Sequence, residues 1–424
     1  MSFAKAYLDK VSLDPGFNIQ DPNPNLSLVI AIPASNESGL IKTLKCLRDC
    51  TPPQGAVEVI IALNSCESSS DELIKQNQLS EKEIYDFNRI HSDRNFLILS
   101  TNKTGIRKKE AGAGFARKLA MDHALSRFDK INKKDGIIIS LDADTLCESG
   151  YLSEVEKHFH NNQRSEACSI YFEHPLEGRE FSASVYNGIT QYELHLRYYI
   201  EGLRYAGHPH AFHTVGSAFA IRAGTYASQG GMNKRTAGED FYFLQKIIPL
   251  GNYSELNSTC LLPSPRPSAR VSFGTGPIIN QFLSGEIEDL DSYDPRAFYD
   301  LRQYISSIPT LYSSDEKETR IIFSSWPESI QTNLGTEFFE RLEEIRNNSS
   351  KTESFQKRFF RWFNMFRTLK YINFVHREFY PRIPVRIAAK DFVEKTVPGM
   401  DSNLETRDLL FLFRTKQREG SWMS

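Results

Sequence analysis

Apolar and polar residues alternate along the first third of the chain in a pattern that predicts strands separated by helices. Short runs rich in Val, Ile and Leu occupy residues 26–33, 57–63 and 96–100, and such runs are typical of buried strands. Helical periodicity covers residues 39–48 and residues 111–128. Helices between successive strands form right-handed crossovers, which place the strands in parallel. The pattern therefore predicts an α/β fold with a mostly parallel sheet flanked by helices.

A fourth apolar run opens the stretch IIISLDADT at residues 137–145 and stops at two acids, Asp142 and Asp144. Its uninterrupted Ile and Leu residues favour a central strand covered on both faces. Open α/β sheets bind ligands beyond the carboxyl ends of such strands. Two neighbouring carboxylates repel unless a cation or hydrogen-bond donors lie between them, so the pair favours a divalent ion bound together with phosphate oxygens. The alternative is a capping Asp at a strand-to-helix turn.

The composition changes from about Pro277, where Phe, Tyr and Arg become frequent and strand signals become rare. Residues 337–347 and 354–371 carry helical periodicity, which predicts a mainly helical C-terminal region. We therefore expect an N-terminal arm at residues 1–25, an α/β domain at residues 26–276 and a helical region at residues 277–424. Core packing is the favoured role for the aromatic residues of this region, and a sugar-stacking surface is the alternative; they include Phe359, Phe360, Trp362, Phe363 and Phe366. The basic residues among them also permit contact with a membrane surface.

Length and charge narrow the class of protein. The 424 residues suffice for one large α/β domain and a smaller second unit, and the formal net charge of −2 gives no reason to expect nucleic acid as a partner. Six cysteines without a CxxC pair favour thiols in a reducing compartment, and Cys46 and Cys50 have the spacing of neighbours on one helix face. No apolar run approaches the roughly 20 residues that span a bilayer, and no signal-peptide core is present, so we expect a cytoplasmic protein.

Four segments in order resemble the GT-A fold glycosyltransferases, in particular the broad family 2 group that uses nucleotide sugars. The first strand ends in a stretch similar to that family's P-x-x-N-E, formed by Pro33, Ala34, Ser35, Asn36 and Glu37. Asn64 follows the second strand where the family usually presents an Asp, and residues 112–124 resemble its Gly-rich, Arg-containing helix. Asp142, Ala143 and Asp144 stand where the family's DxD belongs. Further on, residues 215–221, 230–232 and 238–240 resemble the acceptor-side run that ends in a catalytic acid.

The resemblance implies a GT-A, Rossmann-like fold and a metal-dependent transfer of a hexose from a nucleotide diphosphate sugar to an acceptor hydroxyl. Mg²⁺ or Mn²⁺ would be held by Asp144, the expected direct ligand, and by Asp142, which alternatively contacts the ribose or a metal-bound water. Other contacts to the nucleotide sugar are expected from residues at the matching positions, which are Pro33, Ala34, Asn36, Glu37, Asn64, Arg117, Asp142, Ala143, Gly216, Ser217 and Arg270. The acceptor is an unidentified glycan, lipid-linked molecule or small molecule.

Glu239 and Asp240 open a predicted helix, FYFLQKII, and metal ligation is one of three explanations for acids at that place. Acidic side chains in a first helical turn interact favourably with the helix dipole. In the family's pattern, Asp240 is the general base on the acceptor hydroxyl, with Glu239 beside it as the other candidate catalytic acid. Attack opposite the leaving diphosphate then inverts the anomeric carbon, and retention of configuration is the alternative outcome.

Several features leave alternatives open. Asn64 carries no charge, so the donor nucleotide is not specified, and the absence of a Q-x-x-R-W element argues against processive polymer synthesis. Arg266 and Arg270 are expected to close over the diphosphate. The alternative functions are a sugar-1-phosphate nucleotidyltransferase, disfavoured by PASNESG in place of a Gly-rich phosphate loop, and a non-catalytic carbohydrate-binding relative. The roles of three clustered histidines, in metal binding, in a pocket or in structural hydrogen bonds, stay open; they are His208, His210 and His213.

Overall fold

A computed structural model describes residues 2–11, 13, 20–235, 238–268, 274–397, 399 and 403–420. In chain order its helices and strands are α1 Lys5–Leu8, β1 Leu26–Ala34, α2 Leu40–Arg48, β2 Ala56–Cys66, α3 Asp71–His91, β3 Phe96–Ile106, α4 Ala113–Lys130, β4 Ile137–Ser140, β5 Leu146–Cys147, α5 Tyr151–Asn161, β6 Ala167–Phe172, α6 Ala183–Tyr205, β7 Phe219–Arg222, α7 Ala223–Ser228, α8 Glu239–Ile247, β8 Tyr253–Leu262, α9 Thr275–Ser284, β9 Asp291–Ser292, α10 Arg296–Leu311, α11 Glu316–Ser325, α12 Glu328–Leu334, α13 Glu337–Asn347, α14 Thr352–Trp362, α15 Met365–Glu378, β10 Ile383–Pro384, α16 Val385–Thr396 and α17 Thr406–Glu419. A 3₁₀ turn, Ile248–Leu250, follows α8.

Within the described ranges, β1 to β8 form an eight-stranded sheet in the order β3-β2-β1-β4-β7-β6-β8-β5. β1 is parallel to β2 and β4, β2 is parallel to β3, and β6 is parallel to β8. β7 is antiparallel to both of its neighbours, and the short β5 is antiparallel to β8. The predicted α/β fold with a mostly parallel, Rossmann-like sheet is confirmed.

The core of the sheet follows directly from the apolar runs. Every residue of β1 and of β4 is buried, as expected for inner strands covered on both faces. β4 ends at Ser140, so Asp142 and Asp144 lie in the loop just beyond its carboxyl end. The second and third strands are longer than predicted, since β2 continues to Cys66 and β3 to Ile106. The chain therefore keeps strand pairing beyond the apolar runs.

Two compact units make up the chain. One unit comprises Met1–Arg179 and Thr214–Asn280 and contains the sheet; the other comprises Glu180–His213 and Gln281–Ser424 and is mainly helical. The prediction that the C-terminal region is mainly helical is thus confirmed. The domain limits at residues 25, 276 and 277 stay a prediction.

The helical unit corrects one predicted helix. The periodicity of residues 354–371 predicts one continuous helix, but the structure has two, α14 and α15. The Asn364 side chain accepts hydrogen bonds from the backbone N–H groups of Phe366 and Arg367, so it caps α15 and interrupts the helix. Most of the aromatic residues in this stretch are core, although Phe366 is exposed. No helix in the described part of the chain is long and apolar enough to cross a membrane.

The three clustered histidines lie in the helical unit and serve its packing. The His208 Nε2 atom lies 3.2 Å from the hydroxyl of Thr368, and the His213 Nε2 atom lies 3.2 Å from the side-chain oxygen of Gln417. Burial lowers the pKa of both His208 and His213 to about 3, so both rings are neutral at physiological pH. Among the described residues, no group of three or more His, Cys, Asp or Glu side chains is arranged to hold a metal ion. The contacts support structural hydrogen bonds for the rings of His208 and His213, whereas the role of the His210 ring stays open.

Candidate functional site

The strand order reverses at β1, because β2 and β3 lie on one side of it and β4 lies on the other. In open α/β sheets, ligands bind in the crevice that such a reversal creates beyond the carboxyl ends of the strands. The segment that follows β1 carries Asn36 and Glu37, and the segment that follows β4 carries Asp142 and Asp144. Parallel pairing of β1 with β4 places both segments at one edge of the sheet.

Two further segments reach the same edge because of the direction of their strands. β7 runs antiparallel to β4, and its first residue, Phe219, pairs with Ser140 at the end of β4. The preceding residues Gly216 and Ser217 therefore lie at the carboxyl end of β4, and the Ser140 hydroxyl donates a 2.6 Å hydrogen bond to the Gly216 carbonyl oxygen. β8 runs in the direction of β4, so Arg266, which follows it, also returns to this edge.

Arg117 joins these segments to Glu239, one of the two candidate catalytic acids. Its Nη2 donates to Asp142 Oδ1 at 2.9 Å, and its Nε donates to Glu239 Oε1 at 3.0 Å. Its Nη1 donates to the Ser140 hydroxyl at 2.7 Å and to the Gly216 carbonyl oxygen at 2.9 Å. One guanidinium group thus holds α4, the end of β4, the loop before β7 and the start of α8 in a fixed arrangement.

The electrostatics of Arg117 follow from its burial among acids. The side chain is only 4% exposed, and burial alone would lower its pKa. The carboxylates of Asp142 and Glu239 outweigh burial and raise that pKa above its ordinary value. All three guanidinium nitrogens of Arg117 donate to protein acceptors. Its expected contact with a donor phosphate stays a prediction.

Glu239 and Asp240 have different surroundings although they are adjacent at the start of α8. Glu239 is buried and paired with Arg117, whereas Asp240 is half-buried and lies over Gly216. Asp240 Oδ1 accepts a 2.7 Å hydrogen bond from the backbone N–H of Phe241. Burial, with the nearby Glu239 carboxylate, raises the pKa of Asp240 to about 6, although Arg117 acts in the opposite direction. Asp240 is therefore the acid of the pair suited to exchange a proton near neutral pH.

Gly216 leaves room for the Asp240 carboxylate, and we expect Gly216→Ala to lower the free energy of unfolding by about 1–3 kcal/mol. A Cβ atom at residue 216 would lie 2.7 Å from Asp240 Oδ2 and 3.0 Å from Arg117 Nη2. Both groups would have to move, which disturbs their hydrogen bonds. Urea unfolding measures the effect. The control is Gly39→Ala, where a Cβ meets nothing within 4 Å and the backbone has helical angles that alanine adopts, so no comparable loss is expected. Equal losses in both variants would contradict the close approach at Gly216.

Arg266 stands between two acids of the crevice. Its Nε donates to Asp144 Oδ2 at 2.7 Å, and its Nη2 donates to Glu37 Oε1 at 2.5 Å. Burial opposes the charged form, but the carboxylates of Asp144 and Glu37 prevail and raise the pKa of Arg266. The guanidinium group therefore bridges the segment after β1 and the segment after β4 as a permanent cation.

The charges at this edge of the sheet fit a divalent cation. Among the described residues of the crevice, five carboxylates face two guanidinium groups, so an anionic ligand would meet negative charge there unless a further cation accompanied it; the acids are Glu37, Asp142, Asp144, Glu239 and Asp240. The side chains of Asp142 and Asp144 keep 42% and 24% of their surface exposed, which leaves both accessible to an ion. Two accessible carboxylates completed by phosphate oxygens form a donor set that Mg²⁺ or Mn²⁺ accepts.

Asn64, the expected nucleobase contact, is buried inside β2 instead of following the strand. Its Oδ1 accepts a 3.0 Å hydrogen bond from the backbone N–H of Gly112, and its Nδ2 lies 3.5 Å from the Ala34 carbonyl oxygen. The side chain thus connects the end of β1 to the start of α4. Its contact with a nucleobase stays a prediction.

The other predicted contact residues differ in how much of them reaches the crevice. Asn36 is exposed with a positive φ of 54°, and its backbone N–H donates to Asn77 Oδ1 at 2.9 Å. Pro33 and Ala34 are buried at the end of β1, and Ser217 and Ala143 are buried as well. Arg270 lies outside the described residues.

Sequence reasoning missed three positioning residues, which are Thr43, Asn77 and Ser140. The Thr43 hydroxyl donates to the Ala143 carbonyl oxygen at 2.9 Å, and Asn77 Nδ2 donates to the Asn64 carbonyl oxygen at 3.0 Å. Thr43 and Asn77 are polar residues within helical periodicity, and nothing local separates them from solvent-facing positions. Ser140 was the one detectable case, because it is a hydroxyl inside an apolar run.

No protein-family model matches the sequence, and no curated protein is significantly similar to it. Solved structures with a similar chain path include TarS 1–349 of S. aureus in complex with UDP, with 14% identity over 70% of this chain and 78% of that chain and a TM-score of 0.38. The longer S. aureus TarS structure has 14% identity over 73% of this chain and 51% of that chain, with a TM-score of 0.38. Mannosyltransferase PcManGT from Pyrobaculum calidifontis, in complex with GDP-Man and Mn²⁺, has 14% identity over 85% of this chain and 93% of that chain, with a TM-score of 0.35. At TM-scores this low, the similarities by themselves establish neither the fold nor the activity of the chain.

Proposed function

We propose that the protein is a family 2-like glycosyltransferase of the GT-A type, which moves a hexose from a nucleotide diphosphate sugar to an acceptor hydroxyl with inversion. The observation that carries the proposal is the pair of bonds from Arg117 to Asp142 and to Glu239. These bonds bring the DxD acids and the start of α8 to one crevice. Glycosyl transfer requires two kinds of group at one site, because one must assist the leaving diphosphate while another activates the acceptor hydroxyl.

The acids after β4 belong to the leaving-group side in this proposal. Asp144, with Asp142, would hold Mg²⁺ or Mn²⁺, which neutralises negative charge on the departing diphosphate. Arg266 pairs with Asp144 at 2.7 Å, so its guanidinium group lies next to the candidate metal-binding acids. There it would donate further N–H groups to phosphate oxygens. Glu37 keeps that guanidinium at the edge of the sheet.

Asp240 belongs to the acceptor side. As a carboxylate it accepts the proton of the acceptor hydroxyl while the oxygen attacks the anomeric carbon. Its pKa near 6 leaves it mostly ionised at neutral pH and still basic enough to take that proton. Glu239, paired with Arg117, acts as a positioning residue that fixes the first turn of α8.

The donor class is tested by thermal unfolding with UDP, GDP and their sugars, each with and without Mn²⁺. A ligand that binds only the folded chain at a hundred times its Kd adds about 2.7 kcal/mol of stability. We expect a nucleotide and Mn²⁺ together to raise the unfolding temperature, and we expect Asp144→Ala to lose the part that depends on Mn²⁺. Asp135→Ala is the matched control, because that exposed acid precedes β4 at the opposite end of the strand. If no nucleotide stabilises the unaltered protein with any metal, the proposal fails.

The compartment and the acceptor are also proposed. The six cysteines are thiols, which supports a reducing compartment and hence the cytoplasm. The acceptor is a glycan, a lipid-linked molecule or a small molecule that presents a hydroxyl group. A peripheral membrane contact through the basic and aromatic stretch around Trp362 stays a prediction, and flotation with anionic liposomes tests it.

A further inference from the structure

Three cysteine side chains converge beside the loop that carries the DxD acids. The Cys46 and Cys147 sulfur atoms are 3.4 Å apart, and the Cys50 and Cys147 sulfur atoms are 3.5 Å apart. Cys46 lies on α2, Cys50 lies just beyond the end of α2, and Cys147 lies on β5. All three are thiols, although Cys147 is already at van der Waals contact with both of the other sulfur atoms. A disulfide bond of about 2.05 Å therefore requires a further approach of little more than an ångström.

The three thiols differ in accessibility and in acidity. Cys46 is half-buried, whereas Cys50 and Cys147 are buried. The backbone N–H of Cys147 donates to the Cys46 sulfur at 3.2 Å, which favours a thiolate at Cys46. The side-chain hydrogen bond with Cys147 lowers the pKa of Cys46 to about 6, against the effect of burial. The side-chain hydrogen bonds of Cys147 with Cys46 and with Cys50 raise the pKa of Cys147, so Cys147 stays protonated.

We propose that Cys46 and Cys147 are a site of reversible disulfide formation, with a peroxide as oxidant and a dithiol as reductant. The Cys46 thiolate attacks one peroxide oxygen, the O–O bond breaks, and the departing hydroxide takes up a proton to leave as water. The resulting sulfenic acid is attacked by the Cys147 sulfur, whose proton goes to the departing hydroxide, so a second water leaves as the S–S bond forms. Two thiols are oxidised and one peroxide is reduced to two waters.

The bond would connect α2 to the segment that carries the candidate metal-binding acids. Cys147 follows Asp144 by three residues, and β5 pairs with the end of β8 through Leu261. α2 already contacts this segment through the hydrogen bond from Thr43 to the Ala143 carbonyl oxygen. Oxidation would therefore fix α2 against the loop after β4. The disulfide chemistry itself depends only on the sulfur atoms and stands without the proposed transferase function.

The test uses the 424-residue chain, fully reduced and then treated with a small excess of hydrogen peroxide. Alkylation of the remaining thiols and mass spectrometry are expected to show a loss of about 2 Da and one linked peptide pair that contains Cys46 and Cys147. Dithiothreitol is expected to restore both thiols. A linked pair that contains Cys50 instead of Cys46, or oxidation of Cys46 to sulfinic acid without any linked pair, would overturn the assignment.

Single serine variants separate the roles of the sulfur atoms. Cys46→Ser is expected to abolish the linked pair, and Cys147→Ser is expected to leave a sulfenic acid at Cys46 that dimedone traps. The control is Cys66→Ser, because Cys66 also has a lowered pKa but bonds to the hydroxyls of Ser68 and Ser69. That variant must still form the pair. The rate at which an alkylating reagent labels Cys46 in the unaltered protein, measured before and after peroxide, is a test that needs no variant. If peroxide does not block this labelling, the proposal is contradicted.

Discussion

Asp240→Asn is expected to leave nucleotide binding intact and to lower turnover by at least about a hundredfold, the scale of general base catalysis. The amide keeps the size of the carboxylate and still accepts a hydrogen bond from the N–H of Phe241. It cannot take the proton of an acceptor hydroxyl. Single-turnover rates with a saturating donor measure the chemical step, and titration with the donor alone measures binding.

The same residue predicts how activity depends on pH. A base must be deprotonated to act, and the pKa of Asp240 is raised to about 6. We therefore expect kcat/KM of the unaltered protein to fall as pH decreases through about 6 and to be constant above it. The Asn variant should lose this inflection. Asp135→Asn, at the opposite end of β4, should keep both the rate and the inflection.

The alternative role of Asp240, an interaction with the helix dipole, gives a different result. An acid in the first turn of α8 contributes about 0.3–1 kcal/mol to stability. If Asp240→Asn lowers the free energy of unfolding by that amount while turnover is unchanged, the acid is a helix-dipole partner only. The general base must then be sought elsewhere in the crevice, with Glu239 as the first residue to test.

Arg117→Met is expected to destabilise the protein by about 3–5 kcal/mol, the usual effect of removing one partner from a buried ion pair. Glu239 is buried and would lose its cation, and the Gly216 carbonyl oxygen would lose one of its donors. Asp142 would lose the bond that orients it towards the crevice. Urea unfolding measures the loss of stability. Turnover should also decrease, because the start of α8 is no longer held against β4.

The matched control is Arg48→Met, which breaks an exposed ion pair with Asp93 in the same unit. Exposed pairs of this kind contribute at most about 1 kcal/mol. If Arg117→Met cannot be purified, Arg117→Lys keeps the charge but loses the planar set of donors, and it should still be clearly less stable than the unaltered chain. Losses below 1 kcal/mol in both Arg117 variants would show that the guanidinium group does not hold the site together.

The periodicity of the sequence determined the elements that carry the site. Uninterrupted apolar residues predicted β1 and β4 as buried strands, and the carboxylates that end the fourth run were expected at a strand terminus, where they lie. The acids that open an apolar helical pattern predicted the start of α8. The break between α14 and α15 was missed, because the capping side chain of Asn364 opposes an otherwise continuous periodicity.

Tertiary structure decided how the site is connected. The bond from Arg117 to Glu239 joins residues that are 122 positions apart, and the bond from Arg266 to Glu37 spans 229 positions. Nothing in a local pattern specifies such partners, because a polar residue within a helix has the same periodicity whether it faces solvent or another carboxylate. The sequence by itself determined which segments form the buried strands and the helices, and that acids follow β4 and open α8, since those features depend on neighbouring residues. Strand order and direction decided which of those ends meet, and hence which acids are paired with a guanidinium group, because only the folded sheet brings distant segments to one edge.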